Sequence, residues 1–283
     1  MRAQQAALAP LDSAGRFESL GVDVFRGEAS FLSPHEIAVG DLKLRARNCI
    51  IATGSRAAIP APIGSSHAPY FTNETIFDEL KEKPESLIVV GGGPIGCELG
   101  QMFNRLGVKV TILHKGKRLL EKEDPIVSTV LAEMLEAEGV RVLTGAVIEE
   151  VQESGAGISL RSGGEKMSAT ALLVAAGRQP NVENLNLQKA NVAFTAKEVT
   201  VDEHLETTQP GIYAIGDIIG QLQFTHVADY HARIARLSRS DRPGRSVRRR
   251  KRPQPAGVDL ARNRSSRNRR DDDLRSAGWR KTR

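Results

Sequence analysis

The sequence predicts an α/β protein with a βαβ unit near its middle, and three observations carry that prediction. Residues 87–90 are an apolar run, Leu-Ile-Val-Val. Gly91, Gly93 and Gly96 follow at G-x-G-x-x-G spacing and open an amphipathic stretch that ends at Gly107. Val108 to Leu113, with Val108, Val110, Ile112 and Leu113 apolar, reads as the next strand. Strand, glycine turn, helix and strand in that order make a crossover unit, the context in which the glycine pattern becomes informative.

The other elements follow from short-range patterning. The first 20 residues have mixed helical character and end at Gly21. Val22–Phe25, Ala29–Leu32, Glu36–Val39 and Leu42–Arg45 are short alternating runs broken by Gly, Pro and Asp, which predicts an antiparallel meander. Asn48 to Ala52 is a buried strand running into Thr53-Gly54-Ser55, and Ala57 to Pro69, rich in Pro, Ala and Ser, reads as a linker. Thr72 or Asn73 can cap a short helix over Glu74 to Leu80. Asp124-Pro125 starts a helix with Val127, Val130, Leu131, Met134 and Leu135 on one stripe facing the sheet, and Gly139 stops it. Val140–Leu143, Val147–Val151, Gly157–Leu160 and Ala169–Ala175 are predicted strands. Asn181–Gln188 is a loop, Glu198–Val201 a short strand, Gly211–Asp217 a strand ending in an acid, and Phe224–Ile234 a helix with Thr225 near its start.

The chemistry begins at the glycines. Gly91 permits a sharp exit from the strand, Gly93 removes a side chain that would block a pyrophosphate, and Gly96 lets the helix pack close to the sheet. Pro94 is tolerated in a first helical turn. The unpaired N–H groups there, with the positive end of the helix dipole, favour an anion. Gly91, Gly93, Pro94, Ile95 and Gly96 are therefore the candidate contacts of a dinucleotide. In NAD-binding units an acid about 20 residues after the glycines holds the ribose 2′-hydroxyl. His114 occupies that place, followed by Lys115, Lys117 and Arg118, with no acid until Glu121. Cations at the rim suit a 2′-phosphate, so the expected donor is NADPH, with NADH the other option.

Charge divides the chain. Residues 236–283 hold 18 Lys and Arg against 5 Asp, whereas the first 235 hold 22 against 29. This tail has almost no apolar periodicity and is expected to be disordered. Clustered arginines could contact nucleic acid, but no aromatics interleave them apart from Trp279, and nucleic-acid binding is not expected. The abrupt change after Ile234 is the pattern a shifted reading frame produces. Cys49 and Cys97 are isolated, the six histidines show no ligand spacing, and no metal is expected. No apolar stretch is long enough to span a bilayer and no signal core is present, which points to the cytoplasm.

Four ordered motifs carry a family resemblance: Ala52-Thr53-Gly54, Gly91 to Glu98, Ala175 to Asn181, and Thr208 through Asp217. Over roughly residues 10–234 the chain resembles the flavin-dependent pyridine nucleotide-disulfide oxidoreductases, in the mercuric reductase and dihydrolipoamide dehydrogenase branch. The resemblance implies a three-layer FAD-binding domain, partial here, interrupted by an inserted Rossmann-like NAD(P)-binding domain. Residues 1–70 and 178–235 would be the FAD-binding segments, 71–177 the insertion and 236–283 the basic tail. Thr53 and Gly54 would lie near FAD, Arg178 beside it, and Gly216 with Asp217 at its ribitol chain. The N–H groups of Thr225, His226 and Val227 would face the flavin pyrimidine. Gly177 would belong to the NAD(P) site, and Glu98 matches a position near nicotinamide and flavin that is often paired to a lysine.

The chain also departs from the family pattern. It has no N-terminal G-x-G-x-x-G, no C-x-x-x-x-C disulfide and no lysine partner for Glu98. The arginine-rich tail stands where the family has a homodimer-forming domain, and Pro94 stands where some relatives have a tyrosine. The expectation is a fragment of a flavin-dependent NAD(P)H oxidoreductase, acting on an unassigned electron acceptor and inactive as a disulfide reductase by itself. The alternative is a non-catalytic nucleotide-binding protein with a nucleic-acid-binding basic tail, marked by salt-sensitive DNA association that deletion of residues 236–283 would remove.

Overall fold

The computed structural model describes residues 6–240 except Ala156, so the basic tail beyond Ser240 lies outside the described residues. The chain opens with a 3-10 turn, Ala9–Asp12, and a helix, α1 (Ala14–Ser19), whose first turn is capped by Ser13 Oγ accepting the Arg16 N–H at 3.2 Å. Gly21 ends this region with a φ of +83°. The meander follows as β1 (Ala29–Ser33), β2 (Glu36–Val39) and β3 (Leu42–Arg45). The strand expected over 22–25 does not form. The outer edge of β1 is used by the Leu185 carbonyl, which accepts the Phe31 N–H at 2.9 Å, and Val22 and Phe25 stay exposed.

Next come β4 (Cys49–Ile51) and β5 (Ser55–Ala57). The predicted linker contains a short helical turn, α2 (Ala61–Gly64), because Ile63 and Ala68 supply apolar anchors that the Pro-rich composition conceals; Ile63 is fully buried. A two-residue strand, β6 (Phe71–Thr72), precedes α3 (Ile76–Glu79). The side chains of Thr72 and Thr75 close the intervening turn rather than capping the helix: Glu74 N–H donates to Thr72 Oγ1, and Thr72 N–H to Thr75 Oγ1.

The central βαβ unit is β7 (Ser86–Val90), α4 (Pro94–Arg105) and β8 (Lys109–His114). It is followed by α5 (Pro125–Ala137) and β9 (Arg141–Thr144). An antiparallel meander, β10 (Ile148–Ser154), β11 (Gly157–Ser162) and β12 (Glu165–Ala169), leads to β13 (Ala171–Val174). The main sheet is parallel with order β6-β13-β7-β8-β9. Strand alternation sends Leu87 and Val89 to the helix side, with Cys97, Phe103 and Leu135, while Ile88 and Val90 meet Ile158 and Leu160 of the meander. Burial on both faces explains why β7 reads as one unbroken apolar run.

Helix α5 turns differently from its expected stripe. Ser128 and Leu135 are buried and Leu131 and Ala132 partly so, whereas Val127, Val130 and Met134 are about half exposed. Two adjacent helical stripes are apolar here, and the small Ser128 lets its own stripe approach the Leu120 carbonyl. Asp124 caps the helix by accepting the Ile126 N–H at 2.8 Å. Asp124→Ala is expected to lower unfolding stability by about 1 kcal/mol, read as a shift in urea midpoint.

The remaining elements are β14 (Arg178–Pro180), a 3-10 turn (Leu187–Ala190), β15 (Phe194–Thr195), β16 (Glu198–Val199), β17 (Ile212–Ala214), another 3-10 turn (Gly216–Ile219) that holds Asp217 just past the strand expected to end in it, and α6 (Thr225–Ser240). Parallel strands β4 and β17 sit on a second apolar cluster that includes Phe31, Ile51, Leu187, Ile212 and Ile218. β5 and β14 pair antiparallel where the chain enters and leaves the main sheet region. Arg56 and Glu183 brace this crossing through bonds of 2.9 and 2.8 Å, and the Arg56 hydrogen bond holds the Glu183 carboxyl down at about 2. α6 continues past Ile234, where the apolar pattern stops. Among the described residues no helix is long and apolar enough to cross a membrane.

Candidate functional site

The glycine turn lies at the C-terminal end of β7, between β13 and β8. Gly91 N–H donates to Leu113 O at 2.8 Å, and its φ of +120° favours glycine. A Cβ on Gly91 would strike the Ala175 carbonyl, and one on Gly96 would strike the Gly91 carbonyl. Gly93 is different: a Cβ there meets nothing within 4 Å. Two glycines thus close the turn and the third leaves open space at the start of α4. The helix begins with Pro94, and its next N–H groups, on Ile95 and Gly96, precede the first i→i−4 bond, which Cys97 N–H makes to Gly93 O at 3.0 Å. Such donors suit a phosphate.

Gly92 is a site residue that sequence reasoning passed over, although the Gly91-Gly92-Gly93 triplet signals it. A Cβ on Gly92 would press on Leu119 and His114. Its N–H donates to His114 Nδ1 at 3.1 Å and its carbonyl accepts the Leu120 N–H at 2.8 Å, fastening the rim loop to the turn. His114 is therefore a structural acceptor, and burial pushes its pKa below the ordinary 6.5, against the opposing pull of Glu121. Because the folded chain holds the neutral imidazole, this contribution is complete above 6.5 and is lost as pH falls through the depressed folded value. The His114 ring resonances followed by NMR are expected to titrate below 6.5; titration at or above 6.5 would contradict the arrangement.

Of the expected cations, Lys115 and Lys117 are exposed. Arg118 instead turns inward, donating from Nη2 to the carbonyls of Glu121 at 2.8 Å and Glu123 at 3.2 Å. The acid that sequence spacing placed well beyond the rim returns to it, since Glu121 Oε1 accepts the Lys117 N–H at 3.0 Å.

The second group of candidates gathers at the C-terminal ends of β4 and β17, whose register sets Ile51 beside Ala214. Thr53 Oγ1 donates to Asn181 O at 3.0 Å, and Asn181 Nδ2 donates back to Thr53 O at 3.0 Å. Gly54 has a φ of +66° with open space at its Cβ position. Asp217 lies four-fifths buried, receiving Ser55 Oγ at 2.5 Å and Arg178 Nε at 3.2 Å on Oδ2. Arg178 also donates from Nε to Ser55 Oγ at 2.7 Å and from Nη2 to Ser55 O at 2.8 Å. Ser55 orients both charged partners, and the Thr53-Gly54-Ser55 run does not signal it because only the fold brings it to Asp217. Gly216 packs against Ala228 and donates its N–H to His231 Nδ1 at 3.3 Å, which ties Asp217 to α6. At the start of α6, Thr225 and His226 are exposed, His226 stacks on Phe224, and the Val227 N–H donates to Phe224 O at 3.0 Å.

Glu98 is exposed on α4, on the same face as Pro94. Gly177, with φ of +132°, accepts the Ala58 N–H at 2.9 Å at the crossing. Cys49 and Cys97 are free, and burial pushes both thiols up to about 11.

Known proteins share this sequence pattern and fold. Residues 12–232 match the family described as pyridine nucleotide-disulphide oxidoreductase. Mercuric reductase of Staphylococcus aureus is 39% identical over 222 residues, covering 77% of this chain and 40% of that protein. Dihydrolipoyl dehydrogenase of Bacillus subtilis (strain 168) is 38% identical over 232 residues, covering 78% of this chain and 49% of that protein. The solved structure of the HOCl-induced flavoprotein disulfide reductase RclA from Escherichia coli is similar with a TM-score of 0.71 at 32% identity, covering 76% of this chain and 50% of that one. The chain thus spans half or less of the length of each of these three proteins. With its mixed α/β fold, its parallel sheet and a family match over residues 12–232, the chain belongs to the pyridine nucleotide-disulphide oxidoreductases.

Proposed function

We propose that residues 71–177 bind a nicotinamide dinucleotide as the hydride donor of a flavin-dependent NAD(P)H oxidoreductase. The observation that carries this reading is the glycine turn, shut by Gly91 and Gly96 and open at Gly93. Gly93, Pro94, Ile95 and Gly96 would receive the pyrophosphate at the start of α4, while Gly91 holds the turn's shape. The exposed Lys115 and Lys117 would favour a 2′-phosphate, making NADPH the tighter donor, and Gly177 would border the nicotinamide side.

Residues 1–70 and 178–235 would form the flavin-facing part, with Thr53, Gly54, Arg178, Gly216, Asp217, Thr225, His226 and Val227 toward FAD and Glu98 near the nicotinamide. The fit is supported by the open space at Gly54 and by Asp217, oriented through Ser55 and Arg178 beside the end of a parallel strand. When bound, FAD supplies an acceptor for the nicotinamide hydride. The chain's own part is to hold the two nucleotides and fix the Asp217 carboxylate. Neither Cys49 nor Cys97 suits onward transfer through a dithiol, because thiols pushed up to about 11 carry little thiolate near neutrality. Free cysteines accord with a reducing, cytoplasmic setting.

Nucleotide fluorescence titrations of the 283-residue chain test the donor site, with NADPH expected to bind more tightly than NADH. Tighter NADH binding would overturn the preference, and binding of neither would overturn the site. In parallel, the purified chain is expected to show no NADPH-dependent disulfide reduction above buffer, because both of its thiols are pushed up to about 11. Sustained turnover would contradict that reading.

A further inference from the structure

The loop from His114 to Glu121 folds back on itself. The Glu121 carboxylate folds back over Gly116, where any Cβ would run into it. Oε1 takes the Lys117 N–H at 3.0 Å, and Oε2 lies 3.9 Å from His114 Nε2. That nitrogen is buried and has no hydrogen-bond partner among the described residues. Because Nδ1 accepts the Gly92 N–H, the proton of the neutral imidazole resides on Nε2, on the Glu121 side. A side-chain anion therefore accepts a backbone N–H and lies near, without bonding, a buried imidazole nitrogen, on a loop carrying two exposed lysines, at the strand end where such units hold the adenosine ribose.

We propose that the Glu121 carboxylate is an internal stand-in for the 2′-phosphate of NADPH, and that its need to vacate this place sets the selectivity between NADPH and NADH. The proposal rests on the reading that the glycine turn holds the dinucleotide. Movement of the side chain leaves the loop in place, since Arg118 grips the main-chain carbonyl of Glu121 at 2.8 Å while the side chain is 46% exposed. A 2′-phosphate competes with the carboxylate for the same donors and is repelled by its charge. The 2′-hydroxyl of NADH is uncharged and meets no such repulsion.

The test is a titration of the full chain, Glu121→Gln and Glu121→Ala with NADPH and with NADH. Glutamine keeps an acceptor for Lys117 without the charge, and alanine removes both, so agreement between them isolates the charge from any change in loop packing. Both substitutions are expected to tighten NADPH about tenfold and to change NADH less than about twofold. Equal changes for the two nucleotides, or unchanged NADPH affinity, would overturn the proposal while leaving the donor site standing. Failure of either nucleotide to bind any of the three proteins would overturn the donor site, and this proposal with it.

Discussion

Gly91→Ala is expected to cost about 3 kcal/mol or more of unfolding stability and to abolish nucleotide binding. Two penalties act together. The φ of +120° is one that L side chains rarely adopt, and the added methyl would occupy the place of the Ala175 carbonyl, which belongs to the β13 side of the sheet. Relief by shifting β13 would disturb Leu172, Leu173 and Val174, all completely buried. Gly96→Ala should behave similarly, because its methyl would meet the Gly91 carbonyl and force α4 away from the sheet. Urea unfolding followed by circular dichroism reads the loss directly. A midpoint within experimental error of the parent would show that the turn does not close as described.

Gly93→Val is expected to have the opposite profile, with stability retained and NADPH affinity lowered about a hundredfold. Gly93 has φ −80° and ψ −177°, extended backbone that valine adopts readily. Its side-chain position faces nothing within 4 Å, so the branched group meets no protein atom where its Cβ is attached. It would stand in the path of the pyrophosphate. Thermal unfolding and nucleotide titration of the same preparation separate the effects. Undiminished NADPH binding by Gly93→Val would place the nucleotide elsewhere.

The contrast between these glycines shows what was legible in the sequence. The steric tasks of Gly91 and Gly96 are legible from spacing alone, because a turn between a buried strand and a packed helix leaves few alternatives. Alternation over Ala29 to Arg45 likewise gave the meander, whose pairings are local. Long-range pairing was harder to read. β6 is two residues long and exists only because β13, about 100 residues later, offers it an edge. The α5 stripe was misplaced because Val127, Val130 and Met134 continue an apolar surface that periodicity cannot divide into inner and outer faces.

The candidate site divides in the same way. An acid closing an apolar strand singles out Asp217 and the family resemblance singles out Arg178, but their common partner Ser55 is 162 residues from Asp217 and emerges only when β5 and β14 pair. Sequence spacing puts His114 at the head of a cationic rim. Its role follows from a contact that sequence spacing does not express: the imidazole accepts the Gly92 N–H and is held neutral by burial. Glu121 is the first acid after His114 in the sequence, and its return to the rim depends on a loop that folds back over Gly116, which linear separation does not express.

Amide chemical-shift mapping of the isotopically labelled chain during NADPH addition tests the donor site most directly. The amides of Gly92, Gly93, Ile95 and Gly96 at the start of α4, together with those of Lys115 to Lys117 on the rim, are expected to shift together and saturate with a single affinity. Saturable shifts confined to other residues, or no shifts at all, would contradict the account.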